Sequence, residues 1–442
     1  MVKTYDLTVG NETKALLKLA LPMIFGNLIQ QLYNIADTII VGRFIGPDAL
    51  AAVGSSFSVM VLLNSIILGF CMGSSTVFSI FYGSREIDNL KNSFFVSSLL
   101  IGSMSLIINI LALLFIDDIL FFLRIPEEIF EYTRIYLRII FYGIVFTSAY
   151  NYFAGIMRSL GNSTIPLIFL AISAVINIIL DIIFIVPFNM GVGGAAYATI
   201  IAQGISAIAL AVFCIRKIPV IRLKRKHFKI DMSILKMIGN NSTLTSIQQS
   251  VMNLGILMIQ GLVNSFGVSV MAAFAAVVKI ESFAYLPEQE LGNAFSIFIA
   301  QNHGAKERER IRKGIRSAVK VITIYAIVVS LLIILFAKPL LRIFVGANET
   351  EILQIGTQYL YIVANFYCLI GYLFMFYGLY RGVRKPGMSI ILTVISLGTR
   401  VILAYTLSSV PSIGLLGIWW AIPVGWALAD ITGLYMMKTL KE

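Results

Sequence analysis

The sequence predicts an all-α membrane protein: twelve transmembrane helices in two six-helix lobes, related by a pseudo-two-fold axis along the membrane normal. Three observations carry that prediction. Of 442 residues, 58% are hydrophobic and 13% charged, with a mean hydropathy of +0.90, whereas a soluble globular chain carries about 25% charged residues. Twelve apolar stretches reach the length a helix needs to cross a bilayer. The two halves of the chain also repeat each other.

In order, the predicted spans lie near 15–42, 48–82, 93–116, 129–157, 164–187, 194–215, 234–265, 269–302, 317–337, 351–381, 387–408 and 414–437. Alternating ten-residue strands are absent from the sequence, which excludes a transmembrane β-barrel. The first fourteen residues are polar and the first apolar run is longer than a signal-peptide core, so no cleaved signal is expected. Cys71, Cys214 and Cys368 are isolated, without metal or redox spacing, and read as small apolar filler. His227 and His303 fall in predicted loops and form no ligand cluster.

A formal charge of +12 would suggest nucleic acid in a soluble protein, but here it reports orientation. With both termini cytoplasmic, 24 of the 34 basic residues fall on one side, from Lys3 and Lys14 through Arg85, Arg158 and Arg310 to Lys441. That asymmetry fixes the topology. The longest basic run, RKIPVIRLKRKHFK at 216–229, follows the sixth span. It divides an N-lobe (1–215) from a C-lobe (234–442) through a linker at 216–233, whose charge suits anionic lipid head groups.

The repeat is read from matched residues. Ala51 and Ala52 match Ala272 and Ala273 at an offset of 221. Tyr136, Gly155, Arg158, Gly191 and Gly194 match Tyr359, Gly378, Arg381, Gly414 and Gly417 at an offset of 223. FSIF occurs at 78–81 and again at 295–298. Six spans per half give both halves the same orientation. Parallel repeats of this kind place the substrate site at mid-depth between them and permit alternating access by rocking.

Polar residues inside the spans point to a site, because ionisable groups are costly in a bilayer. In the first span Gln30, Tyr33, Asn34 and Asp37 fall at i, i+3, i+4 and i+7, one stripe on a helix. Asn177 and Asp181 share a face of the fifth span, and Thr199 lies in the sixth. Their repeat partners are Met258 for Asp37, Arg400 for Asn177, Ala404 for Asp181 and Ile422 for Thr199, so the cluster is expected in the N-terminal half alone. Two carboxylates with amide and hydroxyl oxygens suit a hard cation such as Na+. Carboxyl groups in a low dielectric also favour their neutral form and could carry H+. The structural alternative is that Asp37 and Asp181 satisfy buried polar or basic neighbours. In the eighth span Glu281 and Glu288 share a face and suit a cavity for cationic substrates; an internal ion pair with Lys279 is the competing reading. Gln248 and Gln249 in the seventh span are neutral candidates for the same cavity. Pro22 removes a backbone donor and permits a bend in the first span, either static or linked to protonation of Asp37.

These residues together resemble a known family. The Pro22…Asp37 span followed by GRFIG, GIMRSLGNSTIP at 155–166, NIILD at 177–181, GVGGAAYAT at 191–199 and IAQNHGAKERERIRKG at 299–314 are similar to multidrug and toxic compound extrusion (MATE) transporters. The absence of two carboxylates from the seventh and tenth spans resembles the bacterial branch with DinF-like and MepA-like members more than the NorM branch. The resemblance implies an antiporter of the bacterial inner (cell) membrane that expels amphipathic organic cations in exchange for H+ or Na+. It implies an ion site at Asp37, Asn177, Asp181 and Thr199 with Tyr136 nearby, a substrate cavity reached by Gln30, and a bending first helix at Pro22. No cofactor beyond the coupling ion is implied; the partners are small organic cations and the bilayer, with no nucleic acid, and the chain is expected to be a monomer. RGVRKPG at 381–387 departs from the family's glycine-containing turn. The alternatives are a flippase for lipid-linked oligosaccharides, which would want a cationic cavity, and an intramembrane aspartyl protease. For the protease, both the YD and GxGD signatures fail at Asp37 and Asp181, so a non-enzymatic role is expected.

Overall fold

A computed structural model describes residues 5–346 and 349–439; Lys3 and Lys441 of the basic set lie outside the described residues. Within them the α-helices run α1 (Glu12–Phe44), α2 (Pro47–Gly83), α3 (Ile87–Leu114), α4 (Ile116–Phe122), α5 (Glu127–Tyr142), α6 (Ile144–Ser159), α7 (Thr164–Ile185) and α8 (Gly191–Lys217). After the linker follow α9 (Met232–Asn264), α10 (Val268–Gly304), α11 (Arg308–Arg342), α12 (Thr350–Val363), α13 (Tyr367–Gly382), α14 (Pro386–Ser408) and α15 (Leu415–Thr439). Among the described residues there is no strand.

Ten helical segments among the described residues are long and apolar enough to cross a membrane, and α5 with α6, bent by 44°, makes an eleventh. The remaining predicted span is α9. At 33 residues it is long enough, but Asn240, Asn241, Ser242, Thr243, Thr245, Ser246, Gln248 and Gln249 dilute its apolar character. The faces turned outward carry Leu106, Ile110, Leu114, Ile324, Leu331 and Leu335, as hydrocarbon requires.

The chain forms two compact units, one of residues 1–6 and 21–246, the other of residues 7–20 and 247–442. The division passes through α1 immediately before Leu21 and Pro22, and through α9 immediately before Ile247.

Backbone geometry repeats with the sequence. The helices α2 and α10 each have 37 residues and start 221 apart. The residues preceding them, Gly46 and Gly267, both have positive φ, +125° and +99°. Arg85 and Lys306, also 221 apart, are both left-handed at φ +62° and +61°. Gly161 (φ +80°) corresponds to Arg384 (φ +63°) at an offset of 223. The unusual turn in RGVRKPG therefore keeps its conformation while an arginine occupies the left-handed position.

Within the first unit α2 meets α9 through Gly69 and Gly73, four apart. A Cβ on Gly69 would stand 2.2 Å from Ser246 Cα, and one on Gly73 2.4 Å from Ser242 Cα. Small residues at this spacing let two helix backbones touch, and Ser242 Oγ uses the proximity to donate to Phe70 O at 3.0 Å. Buried hydroxyls elsewhere on α2 return to their own helix: Ser75 and Thr76 both donate to Met72 O, and Ser79 to Ser75 O. Those hydroxyls then present no unsatisfied donor to the lipid.

The basic linker packs back onto α3. Asn92 Nδ2 donates to His227 O and Lys229 O, Lys91 Nζ to Arg222 O, and Asp88 engages Lys226 and the buried His227. In the second unit Arg310 of α11 gathers the segment before α1. It donates to Leu7 O, Val9 O and Gly10 O, pairs with Glu12, and stacks over Phe298.

Candidate functional site

The first unit brings the predicted ion-site residues together. Asn177 and Asp181 sit one turn apart on α7, with Thr199 facing them from α8 and Asp37 from α1. All four are buried, Asp181 to 0% exposure and Asp37 to 8%. Asn177 Nδ2 donates to Thr199 Oγ1 at 3.4 Å, and Thr199 donates onward to Ala195 O at 3.1 Å. The donor end of Asn177 is thereby used, which leaves its carbonyl oxygen as a free acceptor.

The remaining oxygens follow the same pattern. Asp37 Oδ1, Asn177 Oδ1 and both Asp181 carboxylate oxygens have no hydrogen-bond donor among the described residues. Asp37 and Asp181 are electrostatic neighbours, without a regular hydrogen bond to either Asp181 oxygen. No arginine or lysine pairs with either carboxylate among the described residues, so the reading of Asp37 and Asp181 as partners of a buried basic residue is not met. A buried set made of acceptors alone is unfavourable until a donor or cation enters it. Two carboxylates, an amide carbonyl and a hydroxyl are hard oxygen donors that fit Na+, and the same carboxylates can each take up H+.

Tyr33 and Tyr136 border this cluster: each is an electrostatic neighbour of both aspartates. Gln30, exposed, lies against Tyr33. One turn before Thr38 on the same helix, the Asn34 backbone carbonyl accepts from the threonine hydroxyl at 2.7 Å. Sequence reasoning missed Gln203, which neighbours Tyr33 and accepts from Thr147 at 2.7 Å. Its position four residues after Thr199, on the same face of α8, was the available signal.

A family model described as MatE matches residues 22–183 and 242–406. The chain belongs to the MatE family. The probable multidrug resistance protein YpnP of Bacillus subtilis is 30% identical over 89% of this chain and 88% of its own. A solved outward-facing MATE family multidrug resistance transporter superposes with a TM-score of 0.93 at 26% identity, covering 100% of this chain and 99% of the other. A MOP superfamily transporter from Pyrococcus furiosus gives the same score and identity over 99% and 98%. The MatE family is one of membrane transporters, and the two-lobed all-α membrane fold and the non-enzymatic class follow with it.

In this MatE chain the second unit also has buried charge, at the two glutamates expected in the eighth span. Glu281 accepts from Tyr359 Oη at 2.7 Å and from Tyr367 Oη at 3.5 Å, with Arg400 as an electrostatic neighbour. Lys279 is exposed and is not its partner; the rival ion-pair reading fails because Lys279, two residues away, leaves the helix on another face. Glu288, 1% exposed, lies against Gly371, and neither oxygen is hydrogen-bonded among the described residues. A separate small cavity, with room for about one water, is lined by Gln248, Gln249, Gln289, Asn293, Phe374, Tyr377 and Arg381. The two glutamines from α9 thus reach a cavity, whereas Glu281 and Glu288 are not among its lining residues.

Proposed function

We propose that this MatE transporter is a secondary active efflux antiporter exporting amphipathic organic cations in exchange for H+ or Na+ by alternating access. The observation that carries the reading is the acceptor-only cluster at Asp37, Asn177, Asp181 and Thr199. A permanently buried arrangement of this kind is unfavourable by itself, and it becomes favourable each time a small cation binds. That makes it suited to load and unload an ion. The names of its relatives, multidrug resistance and multidrug export proteins, support the efflux direction and the small-molecule substrate class.

In this reading Tyr33, Asn34, Gln30 and Tyr136 border the substrate path of the first unit. Gln248 and Gln249 serve the cavity of the second, with Glu281 and Glu288 supplying negative charge. Pro22 serves as the hinge of α1, placed where the chain passes from one compact unit to the other. The basic asymmetry supports a bacterial inner (cell) membrane location with both termini cytoplasmic, and the transporter works as a monomer. A lipid-linked oligosaccharide flippase is disfavoured because the cation lining the cavity, Arg381, already donates to Asn293 and Ser296 and has Glu290 as an electrostatic neighbour.

Reconstitution into liposomes tests the proposal. An imposed H+ or Na+ gradient should drive ethidium efflux by the wild-type protein, and Asp37→Asn or Asp181→Asn should abolish it. Unchanged gradient-driven efflux in both variants would remove the role assigned to the cluster.

A further inference from the structure

The proposed coupling site makes no use of the linker between α8 and α9, which holds the longest basic run of the chain. Part of that charge is committed within the first unit. Lys226 and His227 engage Asp88 at 2.6 and 3.0 Å, and Arg222 donates to the carbonyls of Ile215 and Arg216 at the end of α8. Asp231, the acid at the end of the linker, caps α9 by accepting from the backbone N–H groups of Ser233 and Ile234. Arg225 and Lys229 are exposed and pair with no carboxylate among the described residues.

Between and beyond these two cations the linker turns apolar side chains outward. Phe228 is 57% exposed, Ile230 59% and Met232 71%. The backbone is pinned in this attitude. Buried Asn92 of α3 donates to the carbonyls of His227 and Lys229, on either side of Phe228, at 3.0 and 2.8 Å. A patch of exposed apolar residues on a fixed segment marks an interaction surface.

The position of Phe228 identifies the partner. Its ring meets that of Phe95 of α3 edge to face, with centroids 5.2 Å apart. Phe95, Leu99, Leu106 and Ile110 fall at i, i+4, i+11 and i+15, one stripe of the helix, and the last three are exposed. Because α3 is long and apolar enough to cross a membrane, this stripe faces acyl chains. Phe95 follows Ile87, the first residue of α3, by eight positions, roughly 12 Å at about 1.5 Å per residue. A helix of 28 residues outruns the ~20 that the hydrocarbon core needs. That depth is therefore the border between head groups and chains.

We infer that Phe228, Ile230 and Met232, flanked by Arg225 and Lys229, form a docking surface for an anionic phospholipid of the leaflet on the linker's side. The guanidinium and ammonium groups take the phosphate, and an acyl chain continues past Phe228 onto the Phe95 stripe of α3. A zwitterionic lipid offers the same chains, but its own ammonium group opposes the two cations. Charge complementarity selects the anionic head group. The inference is independent of the ion and the substrate of transport.

Tryptophan quenching tests it on the full-length protein in vesicles. Phe228→Trp adds a fluorophore to the three native tryptophans, whose signal is measured in the wild type and subtracted. Brominated acyl chains are supplied at equal, minor mole fractions on phosphatidylglycerol or on phosphatidylcholine, in a phosphatidylcholine background. Brominated phosphatidylglycerol should quench the added tryptophan at an about tenfold lower mole fraction, and Arg225→Gln or Lys229→Gln should each cut that preference about threefold. The preference should survive Arg216→Gln/Lys217→Gln, which removes exposed charge at the end of α8 instead. Equal quenching by both lipids, quenching by neither, or an equal loss of preference in the Arg216→Gln/Lys217→Gln control would each overturn the inference.

Discussion

The two units handle buried charge in opposite ways at matched positions. In the first, Asn177 and Asp181 join Asp37 and Thr199, and the oxygens without donors outnumber the donors on hand. In the second, the partner of Asn177 is Arg400 and the partner of Asp181 is Ala404. The acid there, Glu281, arrives from another helix and is satisfied by Tyr359 and Tyr367, with a guanidinium close by. Arg400 supplies permanently the positive charge that, in the proposed function, a bound cation would supply in the first unit. Duplication produced two similar scaffolds, and a single basic residue separates a closed electrostatic arrangement from an open one.

The largest effect should come from erasing that difference. Asn177→Arg places a fixed cation one turn from Asp181, so the protein should assemble, yet ethidium efflux in liposomes should vanish under either gradient. Persisting gradient-dependent efflux would show that the open cluster is not where ion and transport meet. A smaller effect is expected on the closed side. Tyr359→Phe removes a hydrogen bond from buried Glu281 and should destabilise the second unit by about 1–3 kcal/mol, read as a lower thermal midpoint in detergent. An unchanged midpoint would mean that Tyr367 and Arg400 satisfy the glutamate without Tyr359.

The smallest contrast lies in the paired turns. Gly161 admits no side chain, because a Cβ there would stand 2.0 Å from Tyr5 O, whereas Arg384 already carries one in the same left-handed conformation. Arg384→Gly should therefore change stability by no more than about 1 kcal/mol. Gly161→Arg should disturb the segment around Tyr5, seen as faster amide hydrogen exchange there. Equal tolerance at both positions would mean that the two turns are not held by different neighbours.

Much of this was legible beforehand, for identifiable reasons. Lipid demands helices, so hydropathy alone outlined the spans; α9 blurred because Ser242 and Ser246 pack on the glycines of α2 and Gln248 and Gln249 line a small cavity. The repeat was visible because glycines and turn residues fix backbone geometry, and the left-handed pairs Gly46 with Gly267 and Arg85 with Lys306 reproduce it. The grouping of Asp37, Asn177, Asp181 and Thr199 was readable from helical spacing and from the asymmetry between halves. What spacing could not give was the pairing of Glu281 with Tyr359 and Tyr367, since contacts between separate helices leave no periodic trace.

The clamp that Arg310 forms around Leu7, Val9, Gly10 and Glu12 has a mechanical consequence for α1. The helix starts from an anchored base, so in the hinge role proposed for Pro22 a bend there would act as a lever with its short arm held. Asp37 lies fifteen residues beyond the proline, roughly 22 Å along the helix at its rise of about 1.5 Å per residue. A bend of about 10° there would swing Asp37 by roughly 4 Å, more than the length of a hydrogen bond. In the proposed mechanism, a small angular change at the base of the lever would then be enough to assemble or dismantle the proposed ion site at its far end.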